Sequence, residues 1–398
     1  MEGKLPVGWR WRKLEDLAKF VYGCPFESSK FNSDGNGLPI IRIRNLISCA
    51  TEMYYDGYYD ENYIVNNDEI LVGMDGEFNI VKWNGGKALL NQRICKLEFS
   101  STEIIPDFAY RALVKILKQI EDKTPQVTVK HLSAKQMKDI QIPLPPRETQ
   151  RRIVAILDKA EETRRLRAQA DELAEKLPFS IFVEMFGDPM QNIKGWKMVT
   201  PTDIASDDKN AITIGPFGSD LMAKDYRSHG VPLIFVKNIR ENKFRGNGIR
   251  FIDESKGEEL KSHRVNPRDI LMTKMGDPPG DVALYPENSQ PGIITADCIK
   301  LTLNPRIANA SYILWVFRTD YVRNQVIRST KGAAQQKINL STFKSIKFPL
   351  PEIELQNQFS EKVNQVEEIR NLQALSNPQI EDLLASLMQK AFVGDLVL

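Results

Sequence analysis

Pro106-Asp107 followed by Glu121-x-Lys123 satisfies the residue pattern of a metal-dependent nuclease. That chemistry needs Asp and Glu to converge on Mg²⁺ from neighbouring strands, with a Lys nearby. The same stretch, "IPDFAYRALVKILKQIEDK", also reads as one amphipathic helix. Pro106 suits its first turn, and Phe108, Leu113, Ile116, Leu117 and Ile120 recur as one buried stripe. On such a helix, Asp107 and Glu121 stand roughly 20 Å apart at the usual rise per residue, too far to share an ion. "GDPPG" at Gly276–Gly280 is similar to the loop of adenine methyltransferases in which an aromatic ring stacks on a flipped base. Gly280 stands where that ring belongs, and no Gly-rich turn after a strand is present to hold S-adenosylmethionine. Its counterpart in the first half of the chain, "GMDGEF", marks the place as a Gly-rich turn. No phosphate loop, nucleophile elbow or H-E-x-x-H spacing occurs, so the chain reads as non-catalytic.

The bulk numbers narrow the class further. The chain has 398 residues, 42% hydrophobic and 27% charged, which predicts two or three domains of an ordinary soluble protein. No apolar run reaches membrane-spanning length, and "MEGKLPVGWRWRKLEDL" has no signal-peptide core, so a cytoplasmic protein is expected. Cys24, Cys49, Cys95 and Cys298 are scattered with no C-x-x-C pair, which predicts reduced, mostly buried thiols and no zinc ribbon. His131, His229 and His263 show no metal spacing. A net charge of +2 leaves any nucleic-acid footprint to local clustering.

The elements that must carry any site are written twice. "PLPPRETQRRI" from Pro143 returns as "PLPEIELQNQF" from Pro349, an offset of 206 residues that also matches Glu148 with Glu354 and Gln150 with Gln356. "SIFVEMF" from Ser180 returns at the same offset as "SLMQKAF" from Ser386. Upstream the offset drifts. Gly8-Trp9 recurs at Gly195-Trp196, "LPIIRIRNL" (38–46) as "VPLIFVKNI" (231–239), and "DEILVGMDGEFNIVKW" (68–83) as "RDILMTKMGDPPGDVALY" (268–285).

The order is therefore a variable unit followed by a steadier one, twice over. The variable units read as mixed α/β. "EILVGM", "RICKLEF" and "CIKLTL" are strands, and "ANASYILWVFRTDYVRNQV" is an amphipathic helix like its partner after Ile105. "PIIRIRNL" alternates, which places Arg42 and Arg44 on one face of a strand and Ile41 and Ile43 on the other. The steadier units read as long helices. The first starts after Pro145-Pro146, carries an apolar stripe from Ile153 to Leu177, and stops at Gly187. The second is predicted to restart at "SNPQIEDLL", with Asn377 as cap and Pro378 in the first turn. Alone, each stripe would face water, so antiparallel packing of the two helices is expected. The fold class is α/β (mixed α+β): two globular domains joined by two long antiparallel helices, with a pseudo-twofold internal repeat. The boundaries fall at 1–143, 144–187, 188–349 and 350–398.

The strand phrase "PIIRIRNL", a Gly/Gln loop before a strand ending in "PLP", a glutamine-bearing helix start, and the helix ends "SIFVEMFGDP" and "SLMQKAFVGDL" form an ordered, duplicated set. In this the whole chain resembles the DNA specificity subunit of type I restriction–modification systems. The resemblance implies two target-recognition domains reading a bipartite site in double-stranded DNA, with paired helices as the spacer. It implies recruitment of two methyltransferase subunits and, through them, restriction (motor-nuclease) subunits. It also implies no cofactor in this chain, with S-adenosylmethionine, ATP and Mg in the partner subunits. A specificity subunit serving a fused methyltransferase-nuclease, and a pseudo-symmetric protein-binding scaffold, are the alternatives.

By the family pattern, DNA contacts in the first domain fall on Arg42, Arg44, Asn45, Asp75, Gly76, Gln126, Thr128 and Lys130. In the second they fall on Lys237, Asn238, Lys331, Gly332, Gln335, Gln336 and Lys337. Arg suits guanine, Gln and Asn suit adenine, and Lys suits phosphate. The first domain departs from the pattern, since "KTPQVTVKHLS" lacks the glycine of "STKGAAQQKINLS". His131 is expected to be structural. The matched helix starts, Glu148, Gln150, Glu354 and Gln356, are the candidates for subunit docking, with helix capping as the competing role.

Overall fold

A computed structural model describes residues 5–124, 130–276, 278–330 and 337–396. The chain divides into two compact units, Met1–Ala168 with Ser376–Leu398, and Gln169–Leu375.

In the first unit an antiparallel sheet runs in the order Ala18–Tyr22, Ile94–Phe99, Ile70–Gly73, Ile80–Lys82. A second sheet contains the parallel pair Leu38–Ile41 and Ala88–Leu90, in register at Ile40 and Leu89. Arg10–Lys13 pairs with Gln141–Leu144, which ties the beginning of the domain to its end. The second unit repeats this plan. Its antiparallel sheet runs Ile212–Ile214, Cys298–Leu301, Ile270–Thr273, Val282–Leu284, and Val231–Ile234 lies parallel to Gly292–Ile294. Lys197–Val199 pairs with Phe348–Leu350. Even a backbone irregularity is copied: Asp68 and Arg268 both have φ of 70°, and their N–H groups donate to the carbonyls of Trp83 and Tyr285.

Four helices organise the cores: α1 (Pro106–Lys123), α2 (Arg147–Phe186), α3 (Ala310–Arg318) and α4 (Ile353–Ala391). Helix α1 starts at a proline, whose missing N–H costs nothing in a first turn. It buries Phe108, Ala112, Leu113 and Leu117 without measurable exposure beyond 1%. Asp107 and Glu121 lie at its two ends: Asp107 is paired with Lys82, and Glu121 accepts a 3.1 Å bond from the Phe78 N–H. The second copy of this helix breaks at Thr319, after which Asp320–Thr330 forms a separate helix.

The long helices are shared. Helix α2 gives its residues up to Ala168 to the first unit and the remainder to the second, and α4 is divided likewise at Leu375 and Ser376. In the first unit the two run antiparallel: Arg167 Nε donates to Asn377 Oδ1 at 2.9 Å, and Arg164 lies 3.9 Å from Glu381. There Phe392 closes the core against Phe108, with ring centroids 5.5 Å apart. In the second unit Phe182 and Phe186 of α2 meet Tyr312 of α3 and Phe359 of α4, with centroids 4.8–5.8 Å apart.

Two expectations from periodicity are corrected. The strand in "PIIRIRNL" stops at Ile41, and Ile43–Asn45 forms a 3₁₀ turn. Asn45 causes this, since its Oδ1 accepts from the Arg42 N–H at 3.2 Å and its Nδ2 donates to the Ala50 carbonyl at 3.0 Å. Arg42 and Arg44 therefore do not share a strand face. Helix α4 does not restart at Pro378 but continues through it, as α2 continues past Leu177 through Pro178. Asn377 is bonded to Arg167 rather than capping a new helix.

The cysteines are free, and burial pushes the Cys95 and Cys298 thiols up to about 12. Neither is a thiolate at neutral pH.

Gln150 and Gln356 pin the long helices to their domains. Gln150 Oε1 accepts from the Ile105 N–H (2.8 Å), and its Nε2 donates to the carbonyls of Glu103 (2.8 Å) and Pro145 (2.9 Å). Gln356 does the same with the Asn309 N–H (2.8 Å) and the carbonyls of Ile307 (3.2 Å) and Pro351 (2.7 Å). Both are fully buried. Replacing either by alanine strands buried backbone groups, and the expected loss is about 1–3 kcal/mol per site. Urea unfolding of Gln150→Ala and Gln356→Ala checks this, with exposed Glu148→Ala staying within about 0.5 kcal/mol of the parent as control.

Candidate nucleic-acid interface

In the first unit three chain segments meet beyond the end of the strand Ile70–Gly73. The Met74 N–H donates to the Arg93 carbonyl (2.9 Å), and the Leu132 N–H donates to the Met74 carbonyl (2.8 Å). Gly76, with φ of 73°, donates its N–H to the Lys130 carbonyl at 2.9 Å, and Asp75 bridges to His131. The turn carrying Arg42, Arg44 and Asn45 lies beside the same strand end, because a Cβ at Gly73 would meet Leu46 at 3.0 Å and Ile43 at 3.4 Å. Six of the eight predicted positions are thus gathered on one edge. Gln126 and Thr128 lie outside the described residues.

Their side chains divide into held and presented groups. Lys130 is held, its Nζ donating to the Glu121 carbonyl at 2.8 Å. Asn45 is spent on its own turn. Arg42 is half-buried, and burial together with the neighbouring Arg44 lowers its pKa. Arg44 is exposed. Asp75 does not face solvent alone: its carboxylate accepts from His131 Nδ1 at 2.6 Å and lies 3.2 Å from Arg93 Nε. Arg93 was not among the residues picked out from the sequence, and His131 was expected to be structural only. No local signal marks Arg93, because the corresponding turn of the second unit carries Asp297.

The second unit uses the same frame. The Lys274 N–H donates to the Asp297 carbonyl (2.7 Å), the Ile338 N–H donates to the Lys274 carbonyl (2.9 Å), and Met275 bridges to Lys337. Lys337 is exposed, while Lys331, Gly332, Gln335 and Gln336 lie outside the described residues. Lys237 is exposed on a 3₁₀ turn, its Nζ 5.4 Å from the Phe235 ring centre. Asn238 must be removed from the contact set. It is fully buried, accepting from the Phe235 N–H (3.0 Å) and donating to the carbonyls of Arg245 (2.9 Å) and Asn247 (3.2 Å). Arg318 donates to the Asn242 carbonyl and lies over the Trp315 ring at 5.1 Å, and burial lowers its pKa to about 10, which leaves it charged at neutral pH.

Of the docking candidates, Glu148 and Glu354 are exposed, Glu148 beside Arg151 (3.3 Å) and Arg152 (3.6 Å). Gln150 and Gln356 are corrected: buried and bonded at every polar atom, they cannot touch a partner. Among the described residues no cluster of His, Cys, Asp and Glu could hold a metal, and no helix is long and apolar enough to cross a membrane.

The family model described as the type I restriction modification DNA specificity domain matches residues 6–175 and again 196–382. The chain belongs to this family, and DNA target recognition is the function that membership carries. It is 28% identical to the EcoBI type I restriction enzyme specificity subunit of Escherichia coli, over 100% of this chain and 88% of that protein. With the MjaVIII specificity subunit of Methanocaldococcus jannaschii the identity is 19%, over 99% and 94%. The fold is shared with the S subunit of a type I restriction–modification system from M. genitalium, at a TM-score of 0.55 and 16% identity over 98% of this chain and 97% of that one. It is shared too with the HsdS subunit of Thermoanaerobacter tengcongensis, at a TM-score of 0.52 and 17% identity over 99% of each.

Lys237 and Asn238 are adjacent yet should behave differently. Lys237→Ala is expected to weaken DNA binding almost equally for all sequences and to shallow the salt dependence by about one unit of slope. Asn238→Ala is expected to cost about 1–3 kcal/mol of stability, with the bases read unchanged. Binding titrations at several salt concentrations, beside urea unfolding, separate the two.

Proposed function

We propose that this chain is the non-catalytic, cytoplasmic reading subunit of its enzyme, recognising a bipartite target in double-stranded DNA with one half read by each globular domain. On that target it assembles two methyltransferase subunits and, through them, restriction (motor-nuclease) subunits. The single observation that carries this reading is the repetition of one loop frame, beyond the strand ends Gly73 and Thr273, with different side chains on it. Two readers with the same backbone and different contact residues suit a site with two unlike halves.

The remaining residues fit the same division of labour. Arg44, Lys237 and Lys337 are exposed cations on the two frames, suited to phosphate and base edges. In the second unit the long helices leave Leu173, Leu372 and Leu375 about two-thirds exposed or more, an apolar surface of the kind that partner subunits cover. The chemistry then belongs to the partners, with S-adenosylmethionine in the methyltransferase subunits and ATP and Mg in the motor subunits.

Mapping adenine methylation across a genome that co-expresses this chain with its neighbouring methyltransferase subunit tests the proposal. Methylation at one two-part motif with a fixed unread gap, lost when this chain is omitted, is the expected result. An assembled complex that methylates no motif would overturn it.

A further inference from the structure

We propose that Arg93 reads a guanine in the half-site of the first domain, held in its reading posture by Asp75. The proposal rests on the chain's reading as a DNA-recognition subunit and names a residue of that same surface.

Asp75 lies in the set of contacts expected from the family pattern, but a bare carboxylate facing DNA is repelled by phosphate. The structure gives it another role. Its two oxygens face two cation-capable groups, Oδ1 taking a bond from His131 Nδ1 at 2.6 Å and Oδ2 lying 3.2 Å from Arg93 Nε. Asp75 is three-quarters covered, whereas Arg93 and His131 are about half exposed. The carboxylate is therefore the inner member and the two bases are the outer ones.

Guanidinium chemistry makes this arrangement selective. Nε is the guanidinium nitrogen nearest the carboxylate, and neither Nη nitrogen makes a hydrogen bond to a described residue. Those two nitrogens are the fork that matches O6 and N7 of guanine in the major groove. An arginine ion-paired beside Nε gives up less side-chain freedom on binding, so more of the contact is realised as discrimination. The backbone is committed as well: Arg93 sits at φ of 72°, a conformation disfavoured for a residue with a side chain, and its carbonyl accepts from Met74.

Comparison of the two units points the same way. Three backbone links recur in both units, the two hydrogen bonds through Met74 or Lys274 and the bridge that follows them, yet Asp75, Arg93 and His131 are replaced by Met275, Asp297 and Lys337. A packing requirement would have kept the side chains similar. Positions that hold the backbone and change all three side chains are those at which two half-site readers should differ.

The test uses the full chain co-expressed with its methyltransferase subunit, comparing the methylated motif of the parent with those of Arg93→Ala, Arg93→Lys and Asp75→Asn. Binding to the parental duplex and to duplexes substituted at single positions is measured alongside. The expected result is that Arg93→Ala relaxes one guanine of one half-site by about tenfold or more, leaving the other half-site intact. Arg93→Lys does not restore it, since lysine lacks the fork, and Asp75→Asn relaxes the same position by less. Continued reading of the other half-site shows that each variant is folded. An unchanged motif with all three variants, or a loss of affinity equal for every sequence, overturns the assignment while leaving DNA recognition standing. Absence of any motif with the parent chain overturns both.

Discussion

Neither long helix has a domain of its own to bury against along its whole length, and the architecture follows from that constraint. Each gives its first half to the unit it leaves and its second half to the other. The beginning of each helix is fixed by a buried glutamine, and the end by phenylalanines, Phe182 and Phe186 in one unit and Phe392 in the other. Full burial of one such ring contributes about 1.5–3 kcal/mol. A globular domain is thereby held by both helices at once, so that its loops are carried on a frame anchored at two points.

The two mounts reach this end by different physics. In the first unit Arg111 of α1 reaches Asp158 (2.7 Å) and Glu161 (2.5 Å) on α2. At the corresponding place on α3 stands Trp315, 6.5 Å from the Phe359 ring and covered by Arg318. An ion pair with partly exposed carboxylates weakens with salt, whereas an aromatic contact does not. The repeat therefore conserves the geometry of attachment and not its chemistry. The same holds at the loop frames, where backbone bonds persist and side chains change.

Polar residues in this chain sort by what surrounds them more than by type. Asn238, Gln150 and Gln356 look like residues that read bases or bind partners, yet all are saturated by backbone groups inside the fold. Arg44, Arg93, Lys237 and Lys337 point outward from turns. Amides satisfy buried N–H and C=O groups at little cost, whereas an exposed cation keeps its hydration and remains available to an anion.

The sequence by itself determined the internal repeat, the identity of the strands "EILVGM", "RICKLEF" and "CIKLTL", the helix after Ile105, and the family. All of these rest on local periodicity, turn residues and order, which survive without knowledge of the chain's path. Tertiary structure alone decided the rest. It ended the strand at Ile41, because Asn45 bonds back to Arg42, and it carried α4 through Pro378, where local rules place a new helix start. It buried Gln150, Gln356 and Asn238, and it placed Arg93 and His131, distant from Asp75 in the chain, on the same carboxylate. The physical reason is common to these cases. A side chain's partners and its exposure are set by segments arriving from elsewhere in the fold, and no pattern within its own stretch of sequence encodes which segments those will be.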